Sequence, residues 1–194
     1  MKSDVYRLEK NMTDFQRIPS EAERVASYSN LDERQARRLR LLSEELIGML
    51  PELLGFGRGE FWIENKGKRF ELHVSVTPDS VLDLDKDRIL SVSSSGENVA
   101  TKGIMNKIRV AAEMMLMTYG ETTTEYQCDF YDMGMVTDLH HYSSAWSLNS
   151  YKEQASGQSE EWDELEKSII ANLADDVIVG VTGKKVEIVV VKNF

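Results

Sequence analysis

Cysteine is almost missing from this chain. Cys128 is the one thiol in 194 residues, so an internal disulfide is excluded and no Cys-x-x-Cys pair exists for redox work or zinc. An inert structural thiol in a reducing cytoplasm is the expectation. Long apolar runs are missing too: no stretch reaches the length needed to span a bilayer, and Met1–Arg7 has no apolar core of a signal peptide. This predicts a soluble, unexported, cytoplasmic protein without a membrane partner. Positive charge is in deficit, with 23 Lys and Arg against 33 Asp and Glu, a net charge of −10 and a pI near 4.9. Such a field repels phosphate backbones, so nucleic acid is not an expected partner. Only three prolines occur, 41% of residues are hydrophobic, and no repeat or low-complexity tract is visible. Disorder therefore has no compositional basis, and the length suits one globular domain able to bury a sizeable core.

What is present centres on one helix, Asn30 to Leu50. Asn30 followed by Glu33 reads as a capping box that starts it. Leu39, Leu42, Leu46, Met49, Leu50 and Leu53 then recur at spacings of three and four, which demands burial of one stripe. Glu44 and Glu45 lie beside the stripe. Arg34, Arg37, Arg38 and Arg40 fall on its solvent side, where with Asp32, Glu33 and Glu44 they make an ordinary charged surface; docking of a partner's acidic patch is the sharper alternative.

Around this helix the elements follow from periodicity. Val5–Glu9 alternates as a short strand. Asn11–Asp14 reads as a cap before the helical stripe Phe15, Ile18, Ala22, Val25 and Ala26, in which Pro19 predicts a kink or a restart with proline in the first turn. Pro51 and then Gly55, Gly57 and Gly59 end the central helix. Residues 60–64 and 69–76 read as a hairpin about Asn65–Lys68. Phe70, Leu72, Val74 and Val76 form its core face, with Glu71, His73 and Ser75 opposite and His73 a surface residue. A helix is expected over 98–119, with Ile104, Ile108, Ala111, Ala112, Met115 and Leu116 buried. Its methionines suit core gaps better than a partner groove. Trp162, Leu165, Ile169 and Leu173, with Ile170 beside them, mark a last helix, and 177–181 and 186–191 a terminal hairpin turned by Thr182–Lys185.

Metal signals are weak. Asp83, Asp85 and Asp87 alternate as in a calcium loop, but Arg88 stands where the turn glycine belongs and Ser94 where the bidentate glutamate belongs. Asp132, Asp138, His140 and His141 lack a defining ligand spacing. No metal site is predicted. Residues 120–158 show poor periodicity, and so long a segment should hold a short strand or a lid.

Leu39-Arg40-Leu41-Leu42-Ser43-Glu44-Glu45-Leu46-Ile47-Gly48-Met49, together with Leu173-Ala174-Asp175-Asp176-Val177 and the glycine-turned hairpin after it, resembles the corresponding segments of the histidine-kinase-like ATPases. The nearest likeness is to the small anti-sigma-factor serine kinases, and it covers residues 4–76 and 160–192. The resemblance implies an α+β fold: a two-layer sandwich with helices packed on one face of a mixed, mostly antiparallel sheet. It further implies a single domain over 1–194 with an enlarged, lid-like variable region at about 77–160. In that family a glutamate on the second helix polarises the attacking hydroxyl or water, and an asparagine one turn later holds magnesium. Glu44 or Glu45 takes the catalytic position here. Gly48 (or Met49 in the other register) stands where the asparagine would be, and neither offers magnesium a side-chain ligand. The family's Asp-x-Gly-x-Gly box is replaced by Val76-Thr77-Pro78-Asp79-Ser80, leaving Thr77 or Asp79 to meet adenine. The later glycine-rich box is reduced to Gly157.

The resemblance thus implies a bacterial signal-transduction protein whose ATP/Mg binding is weakened or lost, and which acts by binding a protein partner such as a sigma factor or an anti-sigma antagonist. The alternative is an active ATP-binding serine kinase or ATPase with non-standard ligands. An unrelated α/β interaction domain is the third reading. Enzyme activity and homodimer formation stay open at this point.

Overall fold

The computed structural model describes residues 1–9, 17–53, 56–78, 104–120, 135–139, 142–155 and 168–194. In chain order the elements are β1 (Tyr6–Glu9), α1 (Arg17–Tyr28), α2 (Glu33–Leu53), β2 (Phe56–Lys66), β3 (Arg69–Pro78), α3 (Ile104–Gly120), β4 (Met135–Leu139), β5 (Tyr142–Ser147), α4 (Leu148–Ala155), α5 (Ile169–Leu173), β6 (Asp176–Thr182) and β7 (Lys185–Asn193). The strands form one seven-stranded sheet in the order β1-β2-β3-β7-β6-β5-β4. Every described pairing is antiparallel. The fold is α+β, and the helices pack on one face of the sheet.

That face holds the main core. Leu39, Leu42, Leu46 and Leu50 of α2 are fully buried and join Ile18, Ala22 and Val25 of α1, Ile108, Ala111 and Met115 of α3, Leu148 and Tyr151 of α4 and Ile170 of α5. The sheet contributes Leu8, Phe61, Ile63, Phe70, Leu72, Val74, Trp146, Val177, Val179, Val186, Ile188 and Val190 to the same cluster. Each buried aliphatic side chain is worth roughly 1.5–3 kcal/mol, so the α2 stripe alone anchors the layer. β7 lies at the centre of the sheet. Ile188 and Val190 face the helices, while Val189 and Val191 join Ala145 and Ile178 in a second apolar cluster on the opposite face. Burial on both faces is why Ile188–Val191 reads as an unbroken apolar run instead of alternating.

Several local expectations change. Asn30 does not cap α2. It takes φ +54 and closes α1: its N–H donates to the Ser27 carbonyl at 3.1 Å, and the Leu31 N–H reaches back to Ala26 at 3.0 Å. These two bonds define a left-handed C-terminal cap, and Leu31 packs on the core as that motif favours. The capping box of α2 lies two residues on, where the Gln35 N–H donates to Asp32 Oδ1 at 2.8 Å and the Asp32 N–H to Gln35 Oε1 at 3.0 Å. Pro19 sits in the first turn of α1, the restart option, because an N–H there has no intrahelical partner to lose. α2 runs two residues past Pro51.

The β2–β3 turn is Gly67–Lys68, two residues instead of four. Gly67 at φ +69 supplies the left-handed backbone needed, and Gly183 at φ +64 does the same between β6 and β7. In α5 the buried residues are Ile170 and Ala171, whereas Ile169 is 43% exposed. Of the expected stripe, Ile170 is buried and Leu173 packs against the core, while Ile169 turns outward. Within 120–158 the structure holds β4, β5 and α4, in keeping with the expected short strand. Asn11–Phe15, Asp83–Asp87, Cys128, Asp132, His140, His141, Trp162 and Leu165 lie outside the described residues.

Candidate functional site

The outer side of α2 carries three of the residues singled out in the sequence. Glu44 and Gly48 are one turn apart on the same side of the helix, and Glu45 is half-buried beside them. The Glu44 carboxylate accepts a hydrogen bond from Arg40 Nε at 2.8 Å, and the same guanidinium donates through another nitrogen to Glu23 of α1. Those two carboxylates raise the Arg40 pKa. The triad is a strut between α1 and α2, lying over their half-exposed seam. One turn on, Gly48 is exposed, and a Cβ built there meets no atom within 4 Å. Around this turn, then, the described residues offer the Glu44 carboxylate, already shared with a guanidinium, and the half-buried Glu45 beside it, with no ligand atom at 48. They do not fit a magnesium ion bridging nucleotide phosphates.

Thr77 is exposed near the end of β3. Alternation along that strand puts Val76 in the helix-side core and Thr77 on the other face. The sheet therefore separates Thr77 from Glu44, Glu45 and Gly48, and the structure does not bring the four together. Asp79 and Gly157 lie outside the described residues.

A different constellation sits on that opposite face. The two-residue turn pairs Trp62 with His73 and Glu64 with Glu71 across β2 and β3. Trp62 and His73 stack with ring centroids 4.8 Å apart and planes 4° from parallel. The Lys2 ammonium lies 4.4 Å from the Trp62 ring centroid. Trp62 Nε1 donates to Glu64 at 3.1 Å. Ligand atoms of Glu64, Glu71 and His73 come within 4.8 Å of one another. Two carboxylates directly opposed across strands repel, and basic groups offset that repulsion here. Arg69 Nε donates to Glu71 at 2.7 Å, Lys66 Nζ is 3.9 Å from Glu71, and Lys2 Nζ is 3.7 Å from Glu64. His73 Nε2 is 3.7 Å from Glu71.

His73 is accordingly not the surface residue expected. Its side chain is 12% exposed and that of Glu71 6%. The sequence alone does not reveal the group, because a four-residue turn pairs Glu64 with Arg69, while the observed turn moves Glu71 opposite Glu64. Gly67 directly before a lysine was the available signal, since a glycine at the first turn position suits a two-residue hairpin.

Two further polar clusters tie the remaining elements down. Glu21, 3% exposed, accepts from the Tyr6 hydroxyl at 2.9 Å and from Arg24 at 2.9 Å, and Arg24 also reaches Asp4 at 2.7 Å. Burial and the Glu21 carboxylate raise the Tyr6 pKa, which keeps that hydroxyl a donor. At the far side of the sheet, Asp176 of β6 accepts from Ser147 Oγ and from the Asn149 N–H, each at 3.1 Å, and so caps the start of α4. Lys152 of α4 donates to the Ala171 carbonyl of α5 at 2.8 Å. Burial lowers the Lys152 pKa, against the pull of Asp176 and Asp175.

These features define an antiparallel α+β sandwich whose described charged clusters join its own elements. Comparison with protein-family models, with curated proteins and with solved structures gives no match. Among the described residues no helix is long and apolar enough to cross a membrane.

Proposed function

We propose that this chain is a cytoplasmic regulatory protein of anti-sigma-factor type, with a histidine-kinase-like ATPase fold, that acts by protein–protein binding and has weakened or lost ATP binding. One observation carries the reading. Glu44, the best-placed candidate base, shares Arg40 with Glu23 in the strut between α1 and α2, and the position one turn later is an exposed glycine. The carboxylate oxygen that Arg40 occupies is not free to take the hydrogen bond of an attacking hydroxyl or water, which a general base must reach directly. The order strand, two helices and hairpin at the start, and helix and terminal hairpin at the end, is the supporting layout, with α3, β4, β5 and α4 lying between them. A sigma factor or an anti-sigma antagonist is the partner class that the sequence resemblance suggests.

The test is calorimetric titration with Mg-ATP and Mg-ADP, alongside direct titration with sigma factors and anti-sigma antagonists from the source organism. The expected result is no measurable heat with either nucleotide and saturable binding to one of the proteins, unchanged by Mg-ATP. Micromolar nucleotide binding would overturn the reading in favour of an active kinase or ATPase using non-standard ligands. Absence of binding to every protein of the set would remove the partner class.

A further inference from the structure

No further inference is drawn: the strongest candidate, the Glu64–Glu71–His73 cluster on the outer face of the β2–β3 hairpin, has its two carboxylates already matched by Arg69, Lys66 and Lys2, and no second observation points to a metal ion or other ligand there.

Discussion

Replacing Gly48 with alanine should make the protein more stable. Gly48 lies in the interior of the 21-residue helix α2, it is exposed, and its φ is not positive. A methyl group at that position meets nothing within 4 Å, so neither a clash nor a lost contact offsets the gain. Glycine inside a helix costs about 1 kcal/mol relative to alanine, largely through the freedom it adds to the unfolded chain. Gly48→Ala is therefore expected to gain about 0.4–1 kcal/mol. In a domain of this size that raises Tm by roughly 1–4 °C and moves the urea midpoint upward with the slope unchanged. Differential scanning calorimetry and urea unfolding followed by circular dichroism read both. An unchanged or lowered Tm would refute the reasoning, because it would mean that the surroundings of position 48 are not open. Gly48→Asn extends the test to chemistry. It supplies the amide that the resemblance calls for, yet Glu44 stays paired with Arg40, so on the proposed function Mg-ATP titration should still give no heat. Binding gained by that single change would mean that the pairing of Glu44 with Arg40 does not prevent nucleotide binding.

Other positions give independent checks. Gly59→Ala should destabilise by about 1–3 kcal/mol through overpacking, because its Cβ would come within 2.7 Å of Val76 Cγ1 and 3.1 Å of the Ser75 carbonyl; an unchanged urea midpoint would contradict that geometry. Asn30→Val should cost about 1–2 kcal/mol and Asn30→Gly close to nothing, since only the β-branched residue resists φ +54; equal losses would argue against a left-handed cap. Burial opposes ionisation of Asp175, but the Lys192 ammonium at 2.7 Å and the Asn193 backbone and side-chain N–H groups outweigh it and hold its pKa below 3.8. A depressed native pKa stabilises above the unfolded value and is lost as pH falls through the folded one. Asp175→Asn should thus cost about 1 kcal/mol at pH 7, discounted for partial exposure, with the gap to the parent closing below about pH 4; a gap that persists at pH 2 would assign the loss to packing.

The elements were legible wherever one face of the chain meets the core. The stripes of α1, α2 and α3 and the alternation of β3 were readable because burial on one side writes a period into the sequence. Boundaries and caps were less legible. Asn30 and Asp32 are both good capping residues three positions before a Glu or Gln, and local sequence does not say which one ends α1 and which begins α2. The candidate site was least legible. Glu44 and Gly48 were correctly placed on one side of a helix, but the pairing of Glu44 with Arg40, and of Arg40 with Glu23, needs two helices in contact. Likewise the meeting of Trp62 with His73 and of Glu64 with Glu71 depends on a two-residue difference in turn length, which shifts every cross-strand partner.

The sequence by itself determined that the chain folds: its apolar periodicities, its glycine turns at 67 and 183 and its scarcity of proline select helices over an antiparallel sheet, because those are local properties of a chain that must hide one side of each element. Tertiary structure alone decided the strand order, the central place of β7 and the partners of each buried charge. These are distances between residues far apart in the chain, such as the 3.7 Å between Lys2 and Glu64, and no local period encodes them.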